Sequence, residues 1–579
     1  MKMNNLQTLL SFEFANSAGK VEPVTFKNPI KTIVANNIEE ILPCFNLIQE
    51  AVNKGLYAAG YVSYESAPAF DPAFRVNPNP NMPLLWFGIY AEPIKESVVR
   101  KGSYKHSKWM PNVNRDQYDS SIESIKNSIK NGDTYQTNYT IRLNSHFEGD
   151  DIAFFDKLKL AQASNYCAYI NTGEFSILSA SPELFFHLKD HRITTRPMKG
   201  TIARGTSWAQ DQENAKWLFE SEKNRSENVM IVDLLRNDLS IISEQGSVHV
   251  PKLFDIEHYP TVHQMTSTIT ATVKSNTTYF DLFKALFPCG SITGAPKIST
   301  MEIISRLESD ARDVYCGAIG YITPNHEAIF NVPIRSVVIN KKTGKATYGV
   351  GGGITWDSTA SGEFEEVLTK ASLLEQKKPE FDLLESMLLE NGELYLLDEH
   401  LKRLQDSSKY FSFLFNRHEV TSTLLEFIKD YPTGKYKIRL LLSKSGHLKI
   451  ESQQLVENEV LKFVKIAKHP IDKKNVFLYH KTTHREIYGE HQQSNSFDVL
   501  LWNEDKEITE FTNGNIIVEK DGKLYTPPIR SGLLGGTFRE KLLKEGKIHE
   551  KVLTLSDLEN CTGIWFINSV RKWIKVNLI

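Results

Sequence analysis

The stretch "YDSSIESIKNSIKNGDTYQTNYTIRL", Tyr118 to Leu143, changes its period half-way along. Tyr118, Ile122, Ile125 and Ile129 recur at helical spacing, and Asn131-Gly132 supplies a stop, because glycine accepts the left-handed backbone that ends many helices. From Tyr135 the period is two. Tyr135, Thr137, Tyr139, Ile141 and Leu143 share one face of a strand, and Gln136, Asn138, Thr140 and Arg142 share the other, which is expected to line a polar cleft. Further strands are expected in "FSILSASPELFFHL", "RITTRP", "GAIGYIT", "AIFNVPIRSVVI" and "ATYGVGGGIT". Strands in groups with helices between them, without strict strand–helix alternation, predict an α+β fold.

At 579 residues the chain exceeds one ordinary core. The composition shifts at "LLEQKKPEFDLLE", Leu373 to Glu385, where a helical pattern ends in a charged run with a proline and a strand-like pattern begins. The expected division is 1–375, a linker at 376–380, and 381–579. Lys+Arg 68 against Asp+Glu 70 leaves a net charge of -2, which gives no electrostatic reason for a nucleic-acid or anionic-membrane partner. Five scattered cysteines, never in a CxxC pair, point to neither a disulfide framework nor a zinc site. The N-terminal apolar run is short and broken by Glu13, and no later run approaches membrane-spanning length, so a cytoplasmic protein is expected.

Five stretches carry more polar groups than a plain core needs. In "RPMKGTIARG", Lys199 stands between an apolar residue and a glycine, which suits either a loop lysine or a functional amine. Glu227 opens the apolar helix "ENVMIVDLLRNDLS", where the helix dipole favours an acid and a metal ligand is the other reading. In "GEFEEVLTKASLL", Glu363, Glu366 and Lys370 share a helix face, either as a solvated ion-pair row or as ligands. The preceding Gly351, Gly352 and Gly353 remove side chains between a ligand and the backbone N–H groups, and Gly290 and Gly294 flank a hydroxyl pair, Ser291 and Thr293. Two anion sites with two acidic helices suggest a carboxylate-bearing ligand and a hard divalent cation such as magnesium.

In order, "GDTYQTNY", "SASPELFF", "RPMKGTIARG", "ENVMIVDLLRNDLS", "FPCGSITGAPK", "GAIGYI", "IRS" and "GVGGGITWDS" followed by "GEFEEVLTKA" resemble the chorismate-utilising enzymes, among them anthranilate, aminodeoxychorismate, isochorismate and salicylate synthases. The resemblance implies an anthranilate-synthase-like two-sheet α/β sandwich. Isochorismate and salicylate synthases place a water-activating lysine where this chain has Gln136, so amination is implied over hydroxylation. "PMKGT" is similar to the "PIKGT" of aminodeoxychorismate synthase component I and unlike the "PLAGT" of anthranilate synthases. By the same resemblance Lys199 attacks C2 of chorismate, Glu183 is the general acid for the departing C4 hydroxyl, and ammonia adds at C4. Gln136, Thr201, His263, Thr293, Tyr321, Arg335, Gly351, Gly352, Gly353 and Lys370 are implied at the substrate, with a structural role open for His263. Glu227, Glu363 and Glu366 are implied at Mg2+. Asn224 departs from the acid that the family often has three positions before Glu227. No glutaminase signature is present, so ammonia is free or comes from a separate glutamine amidotransferase.

The second part resembles the class IV aminotransferases, a pyridoxal-phosphate fold of two lobes that includes 4-amino-4-deoxychorismate lyase. The carrying stretches are "HLKRL", "YHKTTHREIY", "ITEFTNGNIIVEKDGKLYTPPIRSGLLGGTFR" and "WFINSVRKW". The resemblance implies that Lys481 carries pyridoxal 5'-phosphate, Glu510 pairs with its pyridine nitrogen, and Arg403, Gly536 and Thr537 take its phosphate. The usual "LPG" reads Leu534-Gly535-Gly536 here and lacks the proline's stiffness. The fusion suggests a bifunctional 4-aminobenzoate synthesis: chorismate to 4-amino-4-deoxychorismate, then loss of pyruvate. The rivals are an anthranilate-type synthase fused to an amino-acid aminotransferase, and a chorismate-binding scaffold with an inactive C-terminal domain.

Overall fold

The computed structural model of the chain describes residues 8–16, 19–100, 102–375, 379–456 and 461–579. Two compact units result: Met1–Ala203 with Ala215–Lys378, and Arg204–Asn214 with Pro379–Ile579. Arg204–Asn214 therefore groups with the second unit, against the contiguous division expected. Residues 376–378 of the expected linker lie outside the described residues.

The stretch that opens the sequence argument forms the helix Arg115–Asn131 and the strand Gln136–Gly149. Asn114 caps the helix by accepting from Gln117 N at 2.9 Å, and Gly132 ends it at φ +82°. The strand runs in a ten-stranded sheet, antiparallel to the glycine-rich strand Lys345–Ile354. A second ten-stranded sheet carries Leu184–Lys189, Met198–Ala203 and Val262–Thr272. Phe12, Phe14 and Phe26 of one sheet meet Tyr61, Trp86 and Ile319 of the other in a common core. The outer faces are covered by helices, among them Glu222–Ile242 and Tyr279–Leu286 on one sheet and Arg115–Asn131 and Asp151–Gln162 on the other. This is the expected two-sheet sandwich, with strands buried on both faces between the sheets and the covering helices.

The polar face of Gln136–Gly149 is not an open cleft along its length. Thr140 and Arg142 are sealed in a buried network around Glu308, whose carboxylate accepts from Thr140 N at 2.9 Å, Thr140 Oγ1 at 2.8 Å, Arg312 Nη2 at 2.7 Å and Arg142 Nη2 at 3.3 Å. Burial alone would raise the Glu308 pKa, and the two guanidiniums overcome it and hold the carboxyl below the usual range.

In the second unit a four-stranded sheet centred on Leu383–Glu390 and Lys435–Leu442 packs on the helices Leu397–Phe411 and Arg417–Ile428. An eight-stranded sheet forms the other lobe, where an extra pairing between Ile508–Phe511 and Gly514–Lys520 closes six of its strands into a barrel. No helix among the described residues is long and apolar enough to cross a membrane.

Removing Glu308 strands two guanidiniums in apolar surroundings. Glu308→Ala is expected to cost roughly 3–5 kcal/mol in the first unit's denaturant-unfolding transition; an unchanged midpoint would contradict the network's structural role.

Candidate active sites

A cavity of about 370 Å3 in the first unit is lined by Glu183, Lys199, Thr201, Glu227, Arg335, Gly351, Gly352, Gly353, Glu363, Glu366 and Lys370. Lys199 reaches it through a local irregularity. Met198 pairs with Thr266 and Thr201 with Gln264, so one extra residue enters the strand at Lys199-Gly200. Gly200 adopts φ +93°, with Asn224 3.1 Å from where a Cβ would stand. The Lys199 carbonyl accepts from Asn228 Nδ2 at 3.3 Å, and Ser267 Oγ donates to Asn228 Oδ1 at 2.5 Å. Both partners are buried and hold the bulge from behind.

Glu183 lies in the turn after Phe175–Ser181 and accepts from Ser291 Oγ at 2.5 Å. Burial pushes its carboxyl up to about 7, against the opposing pull of Ser291 and the Lys199 charge. Lys199 moves the other way: desolvation lowers its pKa, opposed by Glu227 and Glu183. An acid pushed toward its protonated form and an amine pushed toward its neutral form therefore face one cavity.

Gly351 and Gly353 do different work. A Cβ on Gly351 would strike Tyr139 O at 2.0 Å, so that position serves strand packing. A Cβ on Gly353 would fall 2.0 Å from Gln136 Nε2 and 2.8 Å from Lys199 Nζ; its absence lets amide and amine approach one point. Gln136 itself backs Lys199, and its buried Oε1 has no hydrogen-bond partner. Lys370 Nζ donates to Gly351 O at 2.7 Å and pairs with Glu366, while Arg335, at φ +54°, donates to Lys370 O at 3.2 Å.

Four expected substrate residues do not line this cavity: Gln136, which stands behind Lys199, and His263, Thr293 and Tyr321. His263 is fully buried, its Nδ1 2.7 Å from His258 Nδ1 on the neighbouring strand. Thr293 is buried and donates to Cys289 O. Tyr321 packs against Phe12, Phe14 and Phe26 in the core between the sheets. Glu227 also departs from its expected place, since the helix begins at Glu222 and the acid stands in its second turn, too deep for a first-turn dipole effect. Glu363 Oε1 accepts from Ser358 Oγ at 2.6 Å and Glu366 closes on Lys370, so among the described residues no ready cluster of metal ligands is assembled.

The second unit holds a cavity of about 640 Å3 lined by Arg403, Lys481, Glu510, Gly536 and Thr537. Lys481 is fixed by its carbonyl, which accepts from Leu384 N at 2.9 Å. Desolvation, aided by the Arg403 charge, lowers its amine to about 7. Burial raises Glu510 to about 8, although Tyr488 Oη donates to it at 3.0 Å. Arg403 is aimed by a residue that the sequence did not signal: Glu385 accepts from its Nε at 2.9 Å and Nη2 at 2.6 Å. Burial would raise Glu385, but Arg403 and His400 hold it at about 2. His400 Nε2 lies 3.2 Å from Thr537 Oγ1, which ties Arg403 to the start of the helix Thr537–Lys544. The proline-free loop is pinned instead by Asn515, which donates to Leu534 O at 2.9 Å, and by Arg403, which donates to Gly535 O at 3.1 Å.

Residues 95–376 match the family profile of chorismate binding enzymes, and residues 382–579 that of amino-transferase class IV. The two matches fall one in each of the two parts of the chain. The chain is similar to aminodeoxychorismate synthase component 1 of Salmonella typhimurium, 39% identical over 266 residues, which are 46% of this chain and 58% of that one. The Klebsiella aerogenes protein of the same name is 37% identical over 294 residues, 51% of this chain and 64% of the relative. The chain thus spans 58–64% of the length of these relatives. In fold it is similar to anthranilate synthase component I of Streptococcus pneumoniae, 22% identical with a TM-score of 0.51, covering 65% of this chain and 94% of that one.

In the first unit Asn138 and Ser291 line the cavity, Asn138 from the strand face expected to be polar and Ser291 from the expected hydroxyl pair, while Asn228, which holds the Lys199 carbonyl, belonged to no site expectation. Ser291 had a visible signal, its place between two glycines. An infrared band of a protonated carboxyl, absent from Glu183→Gln, is expected to vanish as pH rises through about 7; a Glu183 already ionised at pH 5 would contradict the desolvated site.

Proposed function

We propose that the chain makes 4-aminobenzoate in two steps, amination of chorismate in the first domain and loss of pyruvate in the second. The observation that carries the reading is the pairing of Lys199 with Glu183 across one cavity, with Gln136 rather than a water-activating lysine behind them. Lys199 adds through Nζ to C2 of chorismate, the ring double bonds shift, and the C4 hydroxyl departs as water with the proton of Glu183. A carboxyl near 7 suits that donation at neutral pH. Ammonia then bonds to C4, the electrons shift back and the C2–Nζ bond breaks, leaving 4-amino-4-deoxychorismate. Arg335 and Lys370 offer cationic partners for the substrate's carboxylates.

Magnesium fits this wall by donor chemistry. Burial raises Glu227 and Glu363 above the usual carboxylate range, which a hard cation would relieve, while Lys370 holds Glu366 below it. Glu227 and Glu366 would hold it, with Glu363 behind and Lys370 released, and the ion would anchor a substrate carboxylate. Ammonia from a separate glutamine amidotransferase suits a chain whose relatives are named as one component of a synthase.

The class IV cavity fits pyridoxal 5'-phosphate. Lys481 opens onto it as an amine near 7, and Gly536 leaves a space that a Cβ would close against Asn515 Oδ1 at 2.0 Å. Arg403, Gly536 and Thr537 would take the phosphate, and Glu510 the pyridine nitrogen. When bound, the cofactor supplies an electron sink for carbanion chemistry. Lys481 moves a proton from the amine-bearing carbon and returns one to the departing enolpyruvyl carbon, and the ring becomes aromatic as pyruvate leaves.

Mass-spectrometric product analysis with chorismate, ammonium, magnesium and pyridoxal phosphate tests the whole sequence. The para isomer of aminobenzoate with equimolar pyruvate is expected, and 4-amino-4-deoxychorismate should accumulate when pyridoxal phosphate is withheld. The ortho isomer, or no dependence on pyridoxal phosphate, would overturn the proposal.

A further inference from the structure

Arg204–Asn214 belongs to the second unit, although it falls inside residues 95–376 that match the chorismate-binding profile and outside residues 382–579 that match the class IV profile. The segment opens with a tight turn closed by one ion pair. Arg204 donates from Nε to Asp211 Oδ1 at 2.6 Å and from Nη2 to Asp211 Oδ2 at 2.8 Å, and Gly205 N donates to the same carboxylate at 2.9 Å. A Cβ on Gly205 would fall 2.2 Å from Asp211 N, so the turn closes only over a glycine. Asp211 is fully buried, and the bidentate guanidinium compensates its charge there.

The turn grips the helix Leu397–Phe411 at Tyr410. Arg204 Nη2 donates to Tyr410 O at 3.0 Å, its guanidinium stands 4.4 Å from the centre of the Tyr410 ring, and Tyr410 Oη donates back to Gly205 O at 2.8 Å. The same ring lies 4.4 Å from the ring of His480, whose Nδ1 is 2.9 Å from Ser407 Oγ. Burial lowers His480 to about 3, against the pull of the Thr206 backbone and the Asp211 charge, so its imidazole is neutral. The next residue is Lys481. On its far side the backbone is tied to the strand Leu383–Glu390 and the residue before it: the Lys481 carbonyl accepts from Leu384 N at 2.9 Å, and Thr483 N donates to Asp382 O at 2.9 Å. On its near side the backbone rests on the seat of His480.

We infer that Arg204, Asp211 and Tyr410 are positioning residues for Lys481: they fix the seat of His480, and with it the direction in which the following side chain enters the class IV cavity. A lysine amine stands at the end of a long flexible stem, so a small turn of its backbone carries it out of place. The class IV site is therefore completed by residues outside the class IV match, from the segment that follows the strand of Lys199. The inference rests on the reading of Lys481 as the lysine that holds pyridoxal phosphate.

The test uses the full chain with Arg204→Met and Asp211→Asn combined, which removes both charges together and keeps an acceptor for Gly205 N. Loaded with pyridoxal phosphate, the double variant is expected to lower kcat for pyruvate release from 4-amino-4-deoxychorismate about tenfold, with KM within about twofold. The visible circular dichroism of the bound cofactor should weaken, while chorismate consumption with ammonium and magnesium stays within about twofold of the wild type. Tyr410→Phe keeps the ring contacts and loses only the bond to Gly205 O, and it should lower kcat about threefold with the same change in dichroism. Without cofactor, the carbon-13 resonance of Lys481, assigned with Lys481→Met, should titrate near 7 in the wild type and about one pH unit higher in the double variant, as water reaches the displaced amine. Wild-type kcat, dichroism and Lys481 midpoint in both variants would overturn the inference, and so would loss of chorismate consumption with pyruvate release intact. A wild type that binds no pyridoxal phosphate, with the Lys481 midpoint still raised in the double variant, would overturn the cofactor reading and leave the positioning role standing.

Discussion

Desolvation of a lysine amine is the constraint around which each domain's site is arranged. An ammonium surrounded by packed protein loses hydration that neighbouring charges must replace, and where they replace only part of it the neutral amine gains. At Lys199 the replacement comes from Glu183 and Glu227, and burial still lowers the pKa. At Lys481 the neighbouring Arg403 works in the same direction as burial, and the amine reaches about 7. The bulge at Lys199-Gly200, the missing Cβ of Gly353 and the Asn228–Ser267 pair are the backbone and packing devices that hold the first amine where this happens.

The same environment moves the acids oppositely. Glu183 and Glu510 are pushed up to about 7 and about 8 by burial, whereas Glu385, equally buried, is held at about 2 because Arg403 and His400 contact it directly. Burial alone therefore does not decide the charge of a carboxyl here; the count of cationic partners does. Sites where neighbouring acids and amines are driven toward each other's range are those suited to proton transfer at neutral pH.

Much of the fold was legible from period alone. The helix Arg115–Asn131, its stop at Gly132 and the strand that follows are all written in residue spacing and one glycine. The cavity residues Lys199, Glu183, Glu363 and Glu366 were reachable through ordered motifs, because each sits beside a glycine or proline, or on a helix face with a clear stripe. What spacing could not convey is which polar residues are sealed. Arg142 and Asn138 share a strand face, yet one is closed off by Glu308 from a distant helix and the other lines the cavity. Tyr321 and His263 carry cleft-like chemistry in the sequence and lie instead in the core or on another strand, through packing between segments far apart in the chain. Glu385 reads as an ordinary strand residue until Arg403 and His400 are seen against it.

The claim on which the first site rests is that Lys199 is poorly hydrated and sheds its proton readily. Carbon-13 NMR of lysine-labelled protein, with Lys199→Met to assign the resonance, measures this directly across a pH titration. A midpoint clearly below the ordinary lysine value of about 10.4 is expected, and it should rise when chorismate analogues bearing carboxylates bind beside it. A Lys199 that titrates at or above the ordinary value in the free protein would contradict the account.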